Sequence, residues 1–459
     1  MKSIIKLRSL EISNIKNVGY GLIDMDSKDG NLNILGVYGQ NGSGKTTVVK
    51  SIEILKSMMM GTELPTEILA YIKEGADSSV VKAGFDVAHD NKEYKINYSF
   101  RIKRYTRVLD EEEREGFIIS AEHLTYSEKV DEKWTRNNTF FEYDIDKYSG
   151  IKPKKNYMSI VGDSQDKEDD IRLLIRNQLK HPKSVLFSID FINMLKDSAF
   201  DDSLKNMLQC LRHYAKFYII ICDNEKNGIV NANIMIPFQF LQNYKDADEL
   251  LTGGLSLMGT SQVPEVLYTK INKNISRISQ VISQLVPNLS IKLNETARTI
   301  NKKGESVVEV ELVSVHNDVA IPIKLESDGI KKIVSILACI IAAFNNQSVL
   351  LAIDELDSGI FEFLLGEILE SFYKEAKGQL IFTSHNFRAL EILGKYNIVV
   401  TTTNEKRKFI RFKNIRPNNN LRDVFYHDLV LGGQDECLYE PTNIYRIGSA
   451  FRKAGDLID

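Results

Sequence analysis

Cysteine is scarce in this 459-residue chain. Its four cysteines, Cys210, Cys222, Cys339 and Cys437, are far apart and form no CxxC pair. This spacing excludes a zinc ribbon and a disulfide framework, and it points to reduced thiols in a cytosolic protein. The seven histidines are scattered too, so no zinc site is legible. No apolar run reaches the roughly 18 residues of a membrane span. The longest, around 333–344, reads as a buried helix. The opening MKSIIKLRSLEIS alternates like a strand and is not a secretory leader. A basic excess is also missing: Lys plus Arg total 59 against 62 Asp plus Glu, a net charge of −3. That balance argues against a constitutive grip on nucleic acid. Long heptad runs, internal repeats and low-complexity stretches are absent as well, which excludes coiled-coil arms.

What remains is the composition of an ordinary soluble protein, 43% hydrophobic and 26% charged. The length predicts two or three lobes. The run LNILGVY is almost continuously apolar, as for a central strand buried on both faces. A glycine-rich loop and a helix over about 45–60 follow it. Residues 80–145 alternate like an antiparallel sheet of hairpins. Residues 150–185 are charged and turn-rich, and 186–286 read mainly as helices. In the last of these, Ile271, Ile275, Ile278 and Ile282 sit at the spacing of a core-facing stripe. From about 328 onward helices and strands alternate, the pattern of a mostly parallel sheet. The tail beyond about 415 is irregular and ends in a short helix. The expected class is α/β: a mostly parallel core sheet, an antiparallel β subdomain and a helical insertion. The expected division is an N-terminal lobe over 1–150, a mainly helical insertion over 151–300 and a C-terminal lobe over 301–459.

Four motifs carry chemistry. Gly39-Gln40-Asn41-Gly42-Ser43-Gly44-Lys45-Thr46 matches GxxxxGK[ST] and is followed by Thr47. Glycines let the backbone N–H groups turn inward around phosphate oxygens, and the next helix aims its positive end at the same anion. Lys45 is expected to reach the β- and γ-phosphates and the Thr46 hydroxyl to bind Mg²⁺. The strand SVLLAI ends in Asp354-Glu355. There Asp354 would hold Mg²⁺, and Glu355 would orient or deprotonate the attacking water. Gln379-Leu380-Ile381-Phe382-Thr383-Ser384-His385 is a strand ending at a histidine placed to contact the γ-phosphate. In Leu325-Glu326-Ser327-Asp328-Gly329-Ile330-Lys331-Lys332, Ser327 suits a helix N-cap and Gly329 allows a phosphate to approach.

In this order the motifs, with Leu356-Asp357-Ser358 after the acidic pair, resemble those of ABC-type ATPase heads of the SMC, RecF and OLD families. The resemblance covers roughly 1–60 and 320–405. It implies bound ATP and Mg²⁺, Glu355 and His385 as catalytic residues, and a homodimer or higher oligomer. Ser327 and Gly329 would then cap the γ-phosphate held by the P-loop of a second copy. The family's Q-loop glutamine is not legible; Gln165, Gln178 and Gln209 are the candidates.

The distance in sequence between the P-loop and the acidic strand argues against a transporter subunit. The forms ESDG-IKK and DELDSGI resemble the single-head AAA ATPases of bacterial anti-phage and abortive-infection systems, PARIS-type systems being closest in size. That group implies a cytoplasmic sensor or regulator, without a membrane anchor, of a separate nuclease or toxin, responding to a phage-encoded trigger. The stretch after His385 is too short for the TOPRIM nuclease of OLD-type chains, so the effector is expected on another polypeptide. One alternative is a RecF-like DNA-repair ATPase, for which the basic runs at Arg101–Arg104, Lys152–Lys155 and Lys406–Lys408 speak. A third is a nucleotide-gated scaffold with negligible hydrolysis.

Overall fold

The computed structural model describes residues 3–27, 30–109, 112–147, 150–244, 247–413 and 420–455. At its centre lies strand Ile34–Tyr38, buried at every position. It pairs in parallel with Gln379–Thr383 on one side and Ile398–Thr401 on the other. Beyond Gln379–Thr383 come the acidic strand Leu350–Ile353 and then Ile219–Cys222, both parallel. Phe409–Ile410 closes the opposite edge antiparallel, completing a six-stranded sheet. Because helices cover a parallel sheet, its strands read as unbroken apolar runs.

The P-loop helix Lys45–Met60 packs on this sheet and on strand Ile4–Ile15 of a second, antiparallel sheet. That sheet is built from Ile4–Ile15, Val18–Asp24, Ser78–His89, Lys92–Leu109, Glu112–Val130 and Asn138–Asp144, with Lys133–Trp134 added to one strand. Its strands turn Leu7, Leu10, Ile12, Val81, Ala83 and Phe85 inward, the period-2 alternation legible in the sequence. One buried amide joins the two sheets. Gln379 Nε2 donates to the Leu7 carbonyl and Gln379 Oε1 accepts from the Leu7 N–H, each at 2.8 Å. With both ends paired, the amide meets the condition on which a polar side chain can be buried in such a core.

A third sheet, Ser261–Pro264, Leu289–Ile300, Ser306–His316 and Val319–Pro322, carries the helix Glu265–Leu285. Ile271, Ile275, Ile278 and Ile282 are buried there, so the isoleucine stripe is core. The region 186–286 departs from the mainly helical expectation. Ile219–Cys222 forms the edge strand beside the acidic strand, and Met235–Tyr244 with Ala247–Ser256 forms a hairpin. A four-residue apolar run such as IIIC has too little length for periodicity to separate strand from helix. Conversely, the charged stretch 150–185 contains two short helices, Lys154–Val161 and Gln165–Arg176. The tail holds two helices, Leu421–Leu431 and Ile444–Gly455. Among the described residues no helix is long and apolar enough to cross a membrane.

Candidate functional site

The sheet order decides which side chains meet. Ile353 is in register with Phe382, Thr383 with Val37, and Tyr38 with Val400. The acidic pair, the Thr-Ser-His end and the P-loop therefore leave the sheet at one carboxyl edge, the edge at which open α/β sheets bind ligands.

The P-loop turns over Thr401. Gly39 has φ 152°, and a Cβ there would come 1.7 Å from Thr401 Oγ1, so only glycine fits. Thr401 Oγ1 in turn lies 2.7 Å from Ser43 Oγ. Gly42 and Gly44 also have positive φ, and the Gly42 carbonyl accepts from Asn17 Nδ2. Asn41 is exposed, while Thr47 is buried in the first turn of the helix. Lys45 is 6% exposed, and its Nζ donates to the Gly39 and Gln40 carbonyls at 2.9 Å each. Burial pushes its pKa down, and the carboxylates of Asp354, Glu355 and Asp357 push it back up.

The Thr46 hydroxyl donates to Asp354 Oδ1 at 3.3 Å, across 308 residues of sequence. Thr383 binds the same oxygen more tightly, donating at 2.6 Å, and accepts the Glu355 N–H at 2.8 Å. One threonine thus fixes both members of the acidic pair. Asp354 is 1% exposed, and its second oxygen, Oδ2, is buried without a hydrogen-bond partner. An orphaned carboxylate oxygen beside a hydroxyl suits a divalent cation. Among the described residues no three His, Cys, Asp or Glu side chains converge on one point. Asp354 and Thr46 could therefore hold Mg²⁺ together with phosphate oxygens and water, the sparse protein ligation that this ion accepts. Glu355 sits at φ 49°, a strained position for a non-glycine residue at the head of the turn. His385 is exposed, and its backbone N–H donates to Asp357 Oδ2 at 3.0 Å. Partial enclosure and the Lys45 ammonium hold its imidazole below its usual pKa, against the nearby carboxylates.

Ser327 and Gly329 open the helix Asp328–Asn345. Ser327 is exposed and caps that helix, accepting from the Ile330 N–H at 3.4 Å. A Cβ on Gly329 would lie 2.1 Å from the Gly359 carbonyl oxygen, so this glycine allows a close approach within the chain itself. One turn on, Lys332 is 4% exposed and donates to the Glu355 carbonyl. Burial draws its pKa down to about 8, although Asp357, Glu355 and Asp354 oppose that shift.

A family model described as "AAA domain, putative AbiEii toxin, Type IV TA system" matches residues 34–391, from the strand before the P-loop to just past His385. The chain belongs to this AAA-domain family. No curated protein matches it significantly. Three solved heads of SMC proteins are similar to it. One is the SMC head bound to the C-winged helix domain of ScpA, with 12% identity over 89% of this chain and 98% of that chain, TM-score 0.44. A second, from Pyrococcus furiosus, has an extended coiled coil and is bound to the C-terminal domain of ScpA; it shows 13% identity over 92% and 98%, TM-score 0.39. The third is the SMC head domain from Thermotoga maritima, 15% identical over 89% and 99%, TM-score 0.37.

In this AAA domain, Lys45, Thr46, Asp354, Glu355 and His385 share one cluster, whereas Ser327 stands at an exposed helix start. Two residues of the cluster, Thr383 and Lys332, have no role assignable from the sequence alone, and Asp357 belongs to the Leu356-Asp357-Ser358 run that resembles an interface loop of ABC-type heads. Thr383 stands within the strand that ends at His385, and Lys332 ends the IKK run. Their partners became apparent only once the sheet order was known. The glutamine candidates lie elsewhere. Gln178 spends its amide on the Lys183 backbone, Gln165 donates to Asp169, and Gln209 lines a cleft beside Met60 at the far end of the P-loop helix.

Proposed function

We propose that this chain binds ATP with Mg²⁺ and hydrolyses it, and that as a homo-oligomer it senses or regulates a separate nuclease or toxin in anti-phage defence. The observation that carries the ATPase reading is the meeting of Thr46 and Asp354 at one carboxylate oxygen, with the second oxygen left unpaired. Backbone N–H groups of 41–46 and the Lys45 ammonium would bind the phosphates, for which Lys45 must leave the Gly39 and Gln40 carbonyls. Thr46 and Asp354 would hold Mg²⁺, which neutralises charge on the phosphoryl oxygens. Glu355 would orient the attacking water and take its proton. His385 would donate to the transferring group. Ser327 and Gly329 would meet the γ-phosphate of a second copy.

The defence reading draws on the family description, "AAA domain, putative AbiEii toxin, Type IV TA system", and the separate effector on the resemblance of ESDG and DELDSG to anti-phage ATPases alone. The RecF-like alternative is weakened at two of its three basic runs. Arg101 pairs with Asp144 and Asp146, Lys103 with Asp146, and Arg407 with Glu436. Lys408 is buried. Arg101, Lys103 and Arg407 are thus paired within the chain, whereas Lys154, Lys155 and Lys406 are exposed and open to phosphates.

Steady-state ATPase assays with and without duplex DNA test both parts. The expected result is Mg²⁺-dependent turnover that is abolished in Lys45→Ala and indifferent to DNA. Stimulation by DNA that falls steeply with salt would favour the repair reading.

A further inference from the structure

The two flanks of the P-loop strand differ. Asp354, Glu355 and His385 rise from the strands on one side of Ile34–Tyr38, which assigns the terminal phosphate and metal to that side. The nucleoside end of a triphosphate then lies toward the other neighbour, Ile398–Thr401. There a cleft of about 200 Å³ opens beside Gln40, Gly42 and Ser43 of the P-loop. Thr402 and Lys408 line it, and the segment 436–440 supplies Leu438 and Glu440.

That segment is tied down along its length. The Glu440 N–H donates to Gln40 Oε1 at 2.9 Å, so the P-loop itself holds one end. The Thr403 N–H donates to the Cys437 carbonyl at 2.8 Å, and Asn404 Nδ2 to Glu436 Oε2 at 2.9 Å. Leu438, 3% exposed, is the one large apolar side chain lining the cleft. A base needs an apolar face, and ribose hydroxyls need acceptors; Glu440 lines the cleft, as does Glu405, whose carboxylate is paired with Lys73 at 2.8 Å.

We propose that residues 436–440 form a strap over the nucleoside half of the P-loop site, through which this chain distinguishes a nucleoside triphosphate from inorganic tripolyphosphate. The proposal rests on the nucleotide-binding reading above. It gives the chain's C-terminal segment a direct role in ligand selection.

Calorimetric titration of the full chain with MgATP and with magnesium tripolyphosphate tests it. Wild type is expected to prefer ATP. Leu438→Ala is expected to weaken ATP at least about tenfold and to leave tripolyphosphate affinity unchanged. Equal weakening of both ligands, or no weakening of ATP, overturns the proposal. Hydrogen exchange on wild type needs no variant: ATP should slow the amides of 437–440 and tripolyphosphate should not, and equal protection by both would also overturn it. A wild-type protein that binds neither ligand fails the nucleotide reading itself. One that binds both equally well fails the strap alone.

Discussion

Lys332 Nζ donates a hydrogen bond to the backbone carbonyl of Glu355. The donor sits one turn into the helix that Ser327 caps, and the acceptor belongs to the residue assigned to activate water. The start of that helix is thereby fastened to the strained φ of Glu355, and Gly329 against Gly359 adds a second point of contact. Lys332→Met is expected to lower kcat on the order of 100-fold while ATP affinity stays at the wild-type level. Lys332→Arg should recover part of the loss. Parallel turnover and binding measurements check this; a matching drop in affinity would assign Lys332 to nucleotide binding instead.

The same lysine links stability to pH. Its folded pKa of about 8 lies below the ordinary lysine value. Between the two, the unfolded chain holds a proton that the folded chain has shed, so stability contributed by this group rises with pH and is lost as pH falls through about 8. In nucleotide-free protein, the unfolding free energy of wild type relative to Lys332→Met should rise from pH 8 to 10, by about 3 kcal/mol at most. Urea titrations across that range measure it, and a flat difference would place the lysine in a more solvated setting.

Ser327 and Gly329 should separate in their effects. Gly329→Ala forces a Cβ against the Gly359 backbone, with an expected cost on the order of 1–3 kcal/mol. Its lost turnover would not by itself report a contact between subunits. Ser327→Gly keeps a tolerated cap residue and should cost only about a few tenths of a kcal/mol. A fall in its ATPase rate at unchanged melting temperature would therefore report the contact with a second copy. Full turnover in Ser327→Gly would remove the evidence for it.

The P-loop, the acidic strand and the His385 strand were legible because each joins an apolar run to polar residues of fixed type and spacing. The core sheet's order was not. Strand Ile219–Cys222 is four apolar residues without a period, and it enters the sheet from a region that otherwise reads as helix. Thr383 and Lys332 were visible as letters, but their work depends on contacts made 29 and 23 residues away. Gln379 looked like any strand residue, yet it pairs with Leu7 across 372 positions. Local pattern specifies elements, whereas these side chains answer to neighbours that only the assembled sheets provide.

Single-turnover cleavage of MgATP by Glu355→Gln, with bound nucleotide measured in the same sample, addresses the acidic pair and the P-loop together. The prediction is ATP bound as in wild type, left uncleaved, and subunits held together around it. Cleavage at the wild-type rate would contradict the assignment of water activation to Glu355 and, with it, the single site in which Lys45 and Asp354 act on one triphosphate.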